Sequence, residues 1–346
     1  MDLELVAARK AVAAPGERAD VASWDMGERM KCLVTGGAGF IGSHLVDRLI
    51  AEGHDVTVID DLSTGRRENV NPAARFFQWD IANPDAWHAY DWIFHLAGRA
   101  DIVPSIWRPT GYYHANVTTT MEVLDAANFL HVKRVIYAAS SSCYGVNPPL
   151  PTAETAPIAC AHPYALTKRL GEELVLHYGQ VYGLPVVSLR LFNIYGPRAR
   201  TSGAYGAVMG TFLAQRANGL PLTIVGDGTQ RRDFVWVDDV VTAFIRAAES
   251  DATGVFNIGA GRARSVQELA DLIGGPQVHV PARGGEPAVT CADIRQAMIV
   301  LGWYPRVELE EGVARLLADL TPWKDAPAWT PKTIAEATKV WHATLG

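Results

Sequence analysis

A glycine-rich segment near the beginning of the chain constrains the fold more than any other feature. The apolar run KCLV, which has the length of a β-strand, leads directly into TGGAGFIG and then into the amphipathic stretch GSHLVDRLIAEG. Gly36, Gly39 and Gly42 follow the spacing G-x-x-G-x-x-G. Glycines are needed here because a pyrophosphate must approach the backbone closely, and the first N–H groups of the helix then hold its charge. The segment therefore predicts a βαβ unit that binds a dinucleotide.

Two carboxylates follow the next strand-like run. DVTVI ends immediately before Asp60 and Asp61, about 20 residues after the glycines. A carboxylate at this position accepts hydrogen bonds from the ribose hydroxyls of adenosine and repels a 2′-phosphate, which favours NAD over NADP. Arg66 and Arg67 argue against that choice, but they lie several residues into the next loop, where we expect them in solvent. Asp60 could otherwise be an ordinary turn residue at the end of a strand.

Strand-length apolar runs alternate with helical stretches over the first part of the chain. ARFFQWD, DWIFHLA, RVIYAAS and PVVSLRL continue the series, and stretches such as NVTTTMEVLDAANFLHV separate them. This alternation predicts an α/β fold in which a Rossmann-type, doubly wound parallel sheet carries helices on both faces. We assign residues 30–195 mainly to this NAD-binding domain. Over residues 196–346, scattered runs such as LTIVGDG, RDFVWV and GVFNIGAG predict a smaller α/β substrate lobe, with segments that return to the Rossmann domain.

Composition and charge exclude several classes of protein. Of the 346 residues, 49% are apolar and 20% are charged, as in soluble globular proteins. The net charge of -6 gives no general attraction to nucleic acid or to an anionic membrane, and no apolar run approaches the roughly 20 residues that cross a bilayer. The four cysteines lack a CxxC pair and the ten histidines lack an HExxH spacing, which argues against a structural zinc and a disulfide scaffold. We therefore expect a cytoplasmic protein without a metal, a nucleic-acid partner or a membrane partner.

The first 29 residues differ in character from the rest. They contain early acidic residues and no apolar core of the kind found in signal peptides, and MKCLVTGG at Met30 would itself be a natural start. We expect residues 1–29 to form a poorly ordered extension. The alternative is an added helix at a subunit contact.

A second motif, the pentapeptide YALTK, lies in the middle of the chain. Among the eleven tyrosines, only Tyr164 has a lysine, Lys168, four positions later. At 3.6 residues per turn, the two side chains share one face of a helix. Taken alone, this spacing fits an exposed surface pair as well as a phenol whose proton is loosened for catalysis.

Seven motifs in chain order resemble the extended short-chain dehydrogenase/reductase superfamily. They are TGGAGFIG, the strand-end Asp60, FHLAG, SSSCYG, YxxxK, RLFNIYGPR and RRDFVWVDD, and they span roughly residues 30 to 310. Within that superfamily the chain is most similar to nucleotide-sugar epimerases and dehydratases, closest to the UDP-glucose 4-epimerase type. The resemblance implies NAD as a tightly held cofactor and a nucleotide-diphosphate sugar as substrate, with UDP the expected nucleotide. It also implies a homodimer formed through helices that start near Asn116 and Tyr164.

The same resemblance assigns the catalytic residues. Tyr164 occupies the position of the catalytic base, Lys168 that of a lysine bonded to the nicotinamide ribose, and Ser140 that of the residue bonded to the sugar hydroxyl being oxidised. A free phenol has a pKa of about 10, too high for a base at neutral pH, so we expect the lysine ammonium and the nicotinamide ring to favour the phenolate. The implied reaction inverts C4 of a nucleotide-activated hexose through a 4-keto sugar. UDP-glucose or UDP-galactose, a UDP-N-acetylhexosamine and a UDP-uronic acid all remain open.

Ser141 and Ser142, which complete the catalytic segment, bear on the choice between related reactions. They stand where 4,6-dehydratases carry the Asp and Glu that eliminate water, and decarboxylating relatives likewise use a Glu in this segment. Serine cannot supply such an acid or base near neutral pH, so the two serines favour plain epimerisation. The alternatives are a dehydratase or another net oxidoreductase acting on a nucleotide sugar and, from a different class, a non-catalytic NAD-binding regulator.

The substrate end is assigned from positions in the later motifs. Arginine suits the two phosphates of the substrate. Arg232 and Arg283 match ligands of the diphosphate and ribose. Because Arg231 is adjacent to Arg232, the sequence leaves open which of these two arginines occupies the motif position. Thr290 stands where a larger tyrosine restricts some 4-epimerases to sugars without an N-acetyl group, so we expect room for a bulky C2 substituent. The segment 203–205 is expected to border the nucleotide base.

Together, these assignments give two sets of predicted contacts. The predicted cofactor contacts are Gly36, Gly39, Phe40, Ile41, Gly42, Asp60, Asp61, Asp80, Ile81, Leu96, Ala97, Gly98, Asn116, Tyr164 and Lys168. The predicted substrate contacts are Ser140, Ser141, Tyr164, Phe192, Asn193, Arg232, Arg283, Glu286 and Thr290.

Overall fold

A seven-stranded parallel sheet forms the main body of the structure. The computed structural model describes residues 28–79, 81, 87–199, 208–282, 284–327 and 329–345. The strands of the sheet are β1 (Lys31–Thr35), β2 (Asp55–Ile59), β3 (Arg75–Phe77), β4 (Trp92–His95), β5 (Arg134–Ser140), β6 (Val186–Leu191) and β10 (Gly254–Ile258). They lie in the order β3-β2-β1-β4-β5-β6-β10, and every neighbouring pair is parallel. The predicted Rossmann-type, doubly wound sheet is thereby confirmed.

Helices cover both faces of this sheet because its strands bury alternate side chains on opposite sides. On β4, Phe94 belongs to one buried apolar cluster with Leu45 and Phe244, whereas its neighbour Ile93 belongs to another with Val123. Burial on both sides explains why the strand sequences are nearly continuous apolar runs.

The helices of the described residues are α1 (Phe40–Ala51), α2 (Ile102–Trp107), α3 (Pro109–Tyr113), α4 (Thr119–Phe129), α5 (Pro163–Tyr182), α6 (Val208–Ala217), α7 (Val237–Glu249), α8 (Val266–Ile273), α9 (Arg295–Val300), α10 (Leu309–Leu317), α11 (Thr321–Lys324), α12 (Pro331–Ala337) and α13 (Lys339–Leu345).

Two smaller sheets form most of the C-terminal part. Strands β7 (Asn193–Tyr195), β9 (Arg231–Trp236) and β11 (Ala263–Ser265) make one sheet, and β8 (Leu222–Val225) pairs with β12 (Gln277–Val280) in the other. They enclose a third apolar cluster with helices α6, α8 and α10. The run GVFNIGAG forms β10, which returns to the edge of the main sheet beside β6.

The chain reverses its direction of winding between β1 and β4. It proceeds from β1 to β2 and β3 on one side, and from β4 to β5 and β6 on the other. The carboxyl ends of these strands lead into Gly36, Asp60, Leu96, Ser140 and Phe192. The predicted motifs therefore meet along one edge, where open α/β sheets bind their ligands.

Residues 1–27 of the expected N-terminal extension lie outside the described residues. Within the described part of the chain, no helix combines the length and the apolar character needed to cross a membrane.

Candidate active site

One cleft runs along the carboxyl edge of the main sheet, and it has two halves. The first, with a volume of about 690 Å³, has the glycine-rich turn and Asp60 in its walls, and we call it the cofactor half. The second, of about 520 Å³, has Ser140, Tyr164 and Arg232 in its walls, and we call it the substrate half. Residues 98–101 line both halves. Ligands bound in the two halves would therefore lie against each other.

The turn between β1 and α1 requires its glycines. Gly36 has a φ of +73°, and a β-carbon there would lie 2.7 Å from the backbone nitrogen of Ala97. A β-carbon on Gly42 would collide with the carbonyl oxygen of Gly36. The turn thus brings bare backbone to the wall of the cofactor half at the start of α1, which is the shape that a pyrophosphate needs.

Asp60 holds this turn in place from the neighbouring strand. Its Oδ2 accepts a hydrogen bond from the backbone N–H of Ala38, and its Oδ1 accepts one from Leu62, both at 2.9 Å. Burial raises the pKa of this carboxyl, and these two bonds oppose the rise. Asp60 is therefore a turn residue that also lines the cofactor half. Arg66 is exposed, as expected, but it lines this half too.

Asn116 acts on the cofactor half through the segment after β4. It lies in a π-helical turn and is buried, with its Oδ1 accepting from the backbone N–H of Arg99 at 2.8 Å. Its Nδ2 donates to the carbonyl of Arg99 and to Thr167 Oγ1 on α5, each at 3.0 Å. A β-carbon on Gly98 would lie 2.6 Å from Asn116 Oδ1, so glycine is required there. Asn116 thereby fixes the wall shared by the two halves.

Most of the predicted cofactor residues line the cofactor half. Asp80 lies outside the described residues, and Tyr164 and Lys168 line the substrate half. The residues of the prediction that line the cofactor half are Gly36, Gly39, Phe40, Ile41, Gly42, Asp60, Asp61, Ile81, Leu96, Ala97 and Gly98.

Local sequence explains why Tyr164 lies at the start of α5. His162 is the N-cap, where its Nδ1 accepts from the backbone N–H of Ala165 at 3.2 Å, and Pro163 occupies the first helical position. The backbone N–H of Tyr164 donates to Ser105 Oγ on α2 at 3.1 Å. The rings of His162 and Tyr164 are nearly parallel, with their centres 5.9 Å apart. These contacts aim the Tyr164 side chain into the substrate half.

Burial works against ionisation of the Tyr164 phenol and of the Lys168 amine. It raises the pKa of Tyr164, Asp101 adds to this rise, and a hydrogen bond with Ser140 opposes it. Burial lowers the pKa of Lys168 to about 7, and Glu172 opposes that change. The chain alone therefore leaves the Tyr164 phenol neutral at neutral pH, in contrast to the phenolate expected from the motif. The physical reason is that desolvation is the largest influence on the pKa of the phenol.

A buried polar network joins α5 to the segment after β5. Glu172 of α5 accepts hydrogen bonds from Arg190 of β6, with its Oε1 2.8 Å from Arg190 Nη2. Arg190 Nη1 in turn donates to Tyr144 Oη at 2.7 Å, and Tyr144 Oη donates to Asn257 Oδ1 at 2.7 Å. Because Tyr144 ends the short helix that starts at Ser141, the network fixes the serine segment against the helix of Tyr164.

Arg232 rather than Arg231 faces the substrate half. On β9 the two side chains point to opposite faces, and Arg231 Nη2 donates to the carbonyl of Ala263, away from the cleft, at 2.7 Å. Arg232 Nη1 donates to the carbonyl of Pro287 at 2.8 Å, and its Nη2 lies 3.4 Å from Glu286 Oε2. Of the two arginines that the sequence left open, Arg232 is the one that lines the substrate half.

Thr290 lies beside β9 in the wall of the substrate half, and its backbone N–H donates to the carbonyl of Arg231 at 3.0 Å. Its Oγ1 donates to Asn193 Oδ1 at 3.1 Å and accepts from the backbone N–H of Asp233 at 3.3 Å. Arg283 and the segment 203–205 lie outside the described residues. The residues of the substrate prediction that line this half are Ser140, Ser141, Tyr164, Phe192, Asn193, Arg232, Glu286 and Thr290.

The residues of the substrate half that were missed at the level of sequence include Arg99, Asp101, His162 and Trp341. The dipeptide His162-Pro163 before YALTK is a helix-start signal, and it could have identified the first turn of α5. Trp341 has no comparable signal, because nothing in its neighbourhood in the sequence relates it to the motifs.

Comparison with known proteins agrees with this architecture. The profile of the "NAD dependent epimerase/dehydratase family" matches residues 32–259. A UDP-glucose 4-epimerase from Mycolicibacterium smegmatis is 39% identical over 305 residues, which is 83% of this chain and 97% of that protein. UDP-glucuronic acid decarboxylase 1 from Arabidopsis thaliana is 34% identical over 308 residues, covering 84% of this chain and 70% of that protein. A structure of UDP-N-acetylglucosamine 4-epimerase from Methanobrevibacter ruminantium M1, in complex with UDP-N-acetylmuramic acid, matches with a TM-score of 0.81 and 32% identity, covering 84% of this chain and 98% of that one.

The chain therefore belongs to the NAD-dependent epimerase/dehydratase family, and the resemblance drawn from its motifs is confirmed. Membership makes NAD its cofactor. The cofactor half fits this group, because its wall contains the bare turn that a β-carbon would fill and, at the end of β2, the carboxylate of Asp60. Gly36, Gly39 and Gly42 would face the pyrophosphate, and Asp60 the adenosine ribose.

Proposed function

We propose that this chain is an NAD-dependent epimerase that inverts C4 of a UDP-activated hexose. The observation that carries the proposal is that Ser140, Tyr164 and Lys168 line the same substrate half, which shares residues 98–101 with the cofactor half. Asp101, which lines both halves, is close enough to Tyr164 to affect its pKa, so the phenol lies near the junction with the cofactor half. The 4-epimerases among the similar proteins support the choice of reaction.

In the proposed mechanism, the residues of the chain handle the proton and the orientation of the sugar. When bound, NAD supplies a reversible acceptor for the hydrogen on the sugar carbon. Tyr164 takes the proton of the 4-hydroxyl and returns it after the sugar has turned, while Ser140 orients that hydroxyl by a hydrogen bond. Lys168 lies one turn further along α5, and in its protonated form it offsets part of the cost of burying a phenolate; burial lowers the pKa of this ammonium to about 7.

Ser141 and Ser142 distinguish this reaction from those of related enzymes. Both line the substrate half, where a dehydratase or decarboxylase of the resembled type would need a carboxyl group. The similarity to a plant decarboxylase keeps a second candidate open, and Asp101 is a carboxylate of this chain near Tyr164. Decarboxylation of a UDP-uronic acid is therefore the second candidate.

NMR analysis of a panel of UDP-, GDP-, CDP- and dTDP-sugars tests the proposal. We expect C4 epimers from UDP-hexoses with no accumulation of NADH, and a Tyr164→Phe variant should lose about 100-fold or more in kcat with NAD still bound. Carbon dioxide release would identify the decarboxylase, loss of water the dehydratase, and NADH the oxidoreductase. Binding of NAD without conversion of any sugar would identify the regulator.

We further propose that the pocket at Thr290 admits an N-acetyl group at C2 of the sugar. Its short side chain is held by Asn193 and by the backbone of Asp233, and the structural neighbour that acts on UDP-N-acetylglucosamine supports this choice. Turnover of UDP-glucose with none of UDP-N-acetylglucosamine would contradict it. A Thr290→Tyr variant should lose the N-acetyl sugar selectively and retain UDP-glucose.

A homodimer formed through α4 and α5 is the oligomeric state that we propose. Met121 and Phe129 on α4, and Leu166 and Val181 on α5, are large apolar side chains exposed to solvent in the single chain. Light scattering should give twice the mass of the chain, and a Phe129→Asp, Val181→Asp double variant should be monomeric. A wild-type monomer at micromolar concentration would contradict the proposal.

The cytoplasmic location expected from the sequence stays a prediction.

A further inference from the structure

We propose that the C-terminal helices form a fixed strap across the substrate half and that Trp341 is a specificity-determining residue for the nucleotide sugar. We define the C-terminal arm as residues 329–345, which include α12 and α13. The family profile matches residues 32–259, so the arm lies beyond the matched part of the chain. The inference rests on the proposed function, because it adds a contact to the same substrate.

Buried hydrogen bonds fix the beginning of the arm beside the substrate half. Gln215 of α6 is fully buried, and its Nε2 donates to the carbonyl of Trp329 and to Thr223 Oγ1, each at 2.7 Å. Thr223 itself lines the substrate half. The next helix, α12, begins with a capping box formed by Thr330 and Thr333. The first turn of the arm is therefore anchored and capped.

One face of the arm points towards the cleft. Ile334, Thr338 and Trp341 are separated by four and three residues, which places them on one side of consecutive helical turns. Each of the three is at most 4% exposed. His342, the neighbour of Trp341, is exposed and therefore lies on the outer face. A solvated C-terminal tail would not bury three side chains on one face, so the arm is packed against the rest of the protein.

Trp341 connects the arm to the loop at the diphosphate end of the cleft. Its indole Nε1 donates to the carbonyl of Gly284 at 2.6 Å, and Trp341 lines the substrate half together with Gly285 and Glu286. Glu286 is the ion-pair partner of Arg232, the predicted diphosphate ligand. The indole therefore lies on the loop that contacts this arginine.

The far side of the arm reaches α2, which in turn contacts the start of α5. α13 packs against α2, and Ser105 of α2 accepts a hydrogen bond from the backbone of Tyr164. The arm thus crosses from the loop beside Arg232 to the helix that supports the catalytic tyrosine. The sugar of the substrate must span the same two points, because its C4 faces Tyr164 and its diphosphate faces Arg232.

Trp341, held between the loop beside Arg232 and the helix that supports Tyr164, limits the size of the sugar. Its large rigid ring contributes apolar area for the sugar, and its N–H is already bonded to the Gly284 carbonyl, so the ring cannot turn away to admit a larger substituent. As far as the structure describes the cofactor half, Trp341 is absent from its walls. Loss of the indole should therefore affect the sugar and leave NAD unaffected.

Calorimetry with the NAD-loaded full chain tests the inference. In a Tyr164→Phe background, which prevents turnover, the dissociation constants of UDP-glucose, UDP-N-acetylglucosamine and UDP-glucuronic acid are measured. We expect Trp341→Ala to raise at least one of these constants about tenfold, and to change the preference among the three sugars by a similar factor. Trp341→Phe, which keeps an apolar ring, should remain within about threefold of the parent. His342→Ala, on the outer face of the same turn, is the matched control and should equal the parent.

Three outcomes would overturn the inference, and they are distinguishable. Unchanged constants and unchanged preference in Trp341→Ala would show that the indole does not contact the sugar. A parallel loss of NAD affinity and melting temperature would show that Trp341 is only a core residue. A parent protein that binds none of the three sugars would overturn the proposed function itself, and this would be seen before any change in the arm.

Discussion

His162 fixes the residue at which helix α5 begins. Its Nδ1 accepts a hydrogen bond from the backbone of Ala165, so the ring must be unprotonated at that nitrogen. Burial lowers the pKa of His162 to about 4, whereas the ordinary value for a histidine is about 6.5. The position of Tyr164 is therefore coupled to the protonation of the residue two places before it.

Acid should weaken the fold through this histidine. Between pH 6.5 and pH 4 the unfolded chain binds a proton at His162 that the folded chain does not. The contribution of the neutral His162 to the free energy of unfolding is therefore fully present above pH 6.5 and is lost as the pH falls towards 4. The contribution to the slope is about 1.4 kcal/mol per pH unit. In His162→Asn an amide oxygen caps the helix without titrating, so urea denaturation against pH should show a shallower slope by about that amount.

The control for this prediction is His342→Asn, which changes an exposed histidine. It should retain the slope of the wild type. Parallel curves for the wild type and His162→Asn would show that the cap is not a source of the acid sensitivity.

Among the elements, the turn from β1 to α1 was the most predictable. Its glycine spacing is local, and Gly36 and Gly42 are required by atoms of the same turn or of the strand end beside it, such as Ala97. The hydrogen bonds from Asp60 to Ala38 and Leu62 were not predictable, because they depend on how β2 lies against the turn. Sequence predicted Asp60 as a cofactor contact, and the structure shows that it lines the cofactor half and anchors the turn.

Gly42→Ala should weaken NAD binding selectively. The new β-carbon would collide with the carbonyl of Gly36 and lie 2.9 Å from the α-carbon of Gly37. The turn must then move away from the place where a pyrophosphate approaches it, and we expect the dissociation constant of NAD in calorimetry to rise about tenfold or more.

Gly53→Ala, just beyond the other end of α1, is the matched control. Its φ of +89° makes alanine strained, but its surroundings are open. We expect a loss of stability of about 1 kcal/mol with unchanged affinity for NAD. Equal weakening of NAD binding by both variants would mean that general strain, and not the local collision, is responsible.

At the scale of the whole molecule, sequence predicted the features that depend only on order along the chain. Alternating runs predicted the parallel sheet, and motifs at strand ends predicted one cleft, because parallel strands bring their carboxyl ends to one edge. Contacts between distant segments were not predictable in this way. Trp341 reaches Gly284, and Arg190 reaches Glu172, only through the packing of separate elements.

The ion pair between Glu172 and Arg190 gives the sharpest test of that long-range packing. Both side chains are almost fully buried, and the pair joins α5, β6 and the serine segment. Arg190→Met leaves a buried carboxylate without its main partner, so we expect a loss of about 3–5 kcal/mol in the free energy of unfolding. Glu172→Met should cost a similar amount. The double variant removes both charges together, so its loss should be much smaller than the sum of the two. Urea denaturation of the four proteins measures this coupling, and strictly additive losses would show that the two charges act independently.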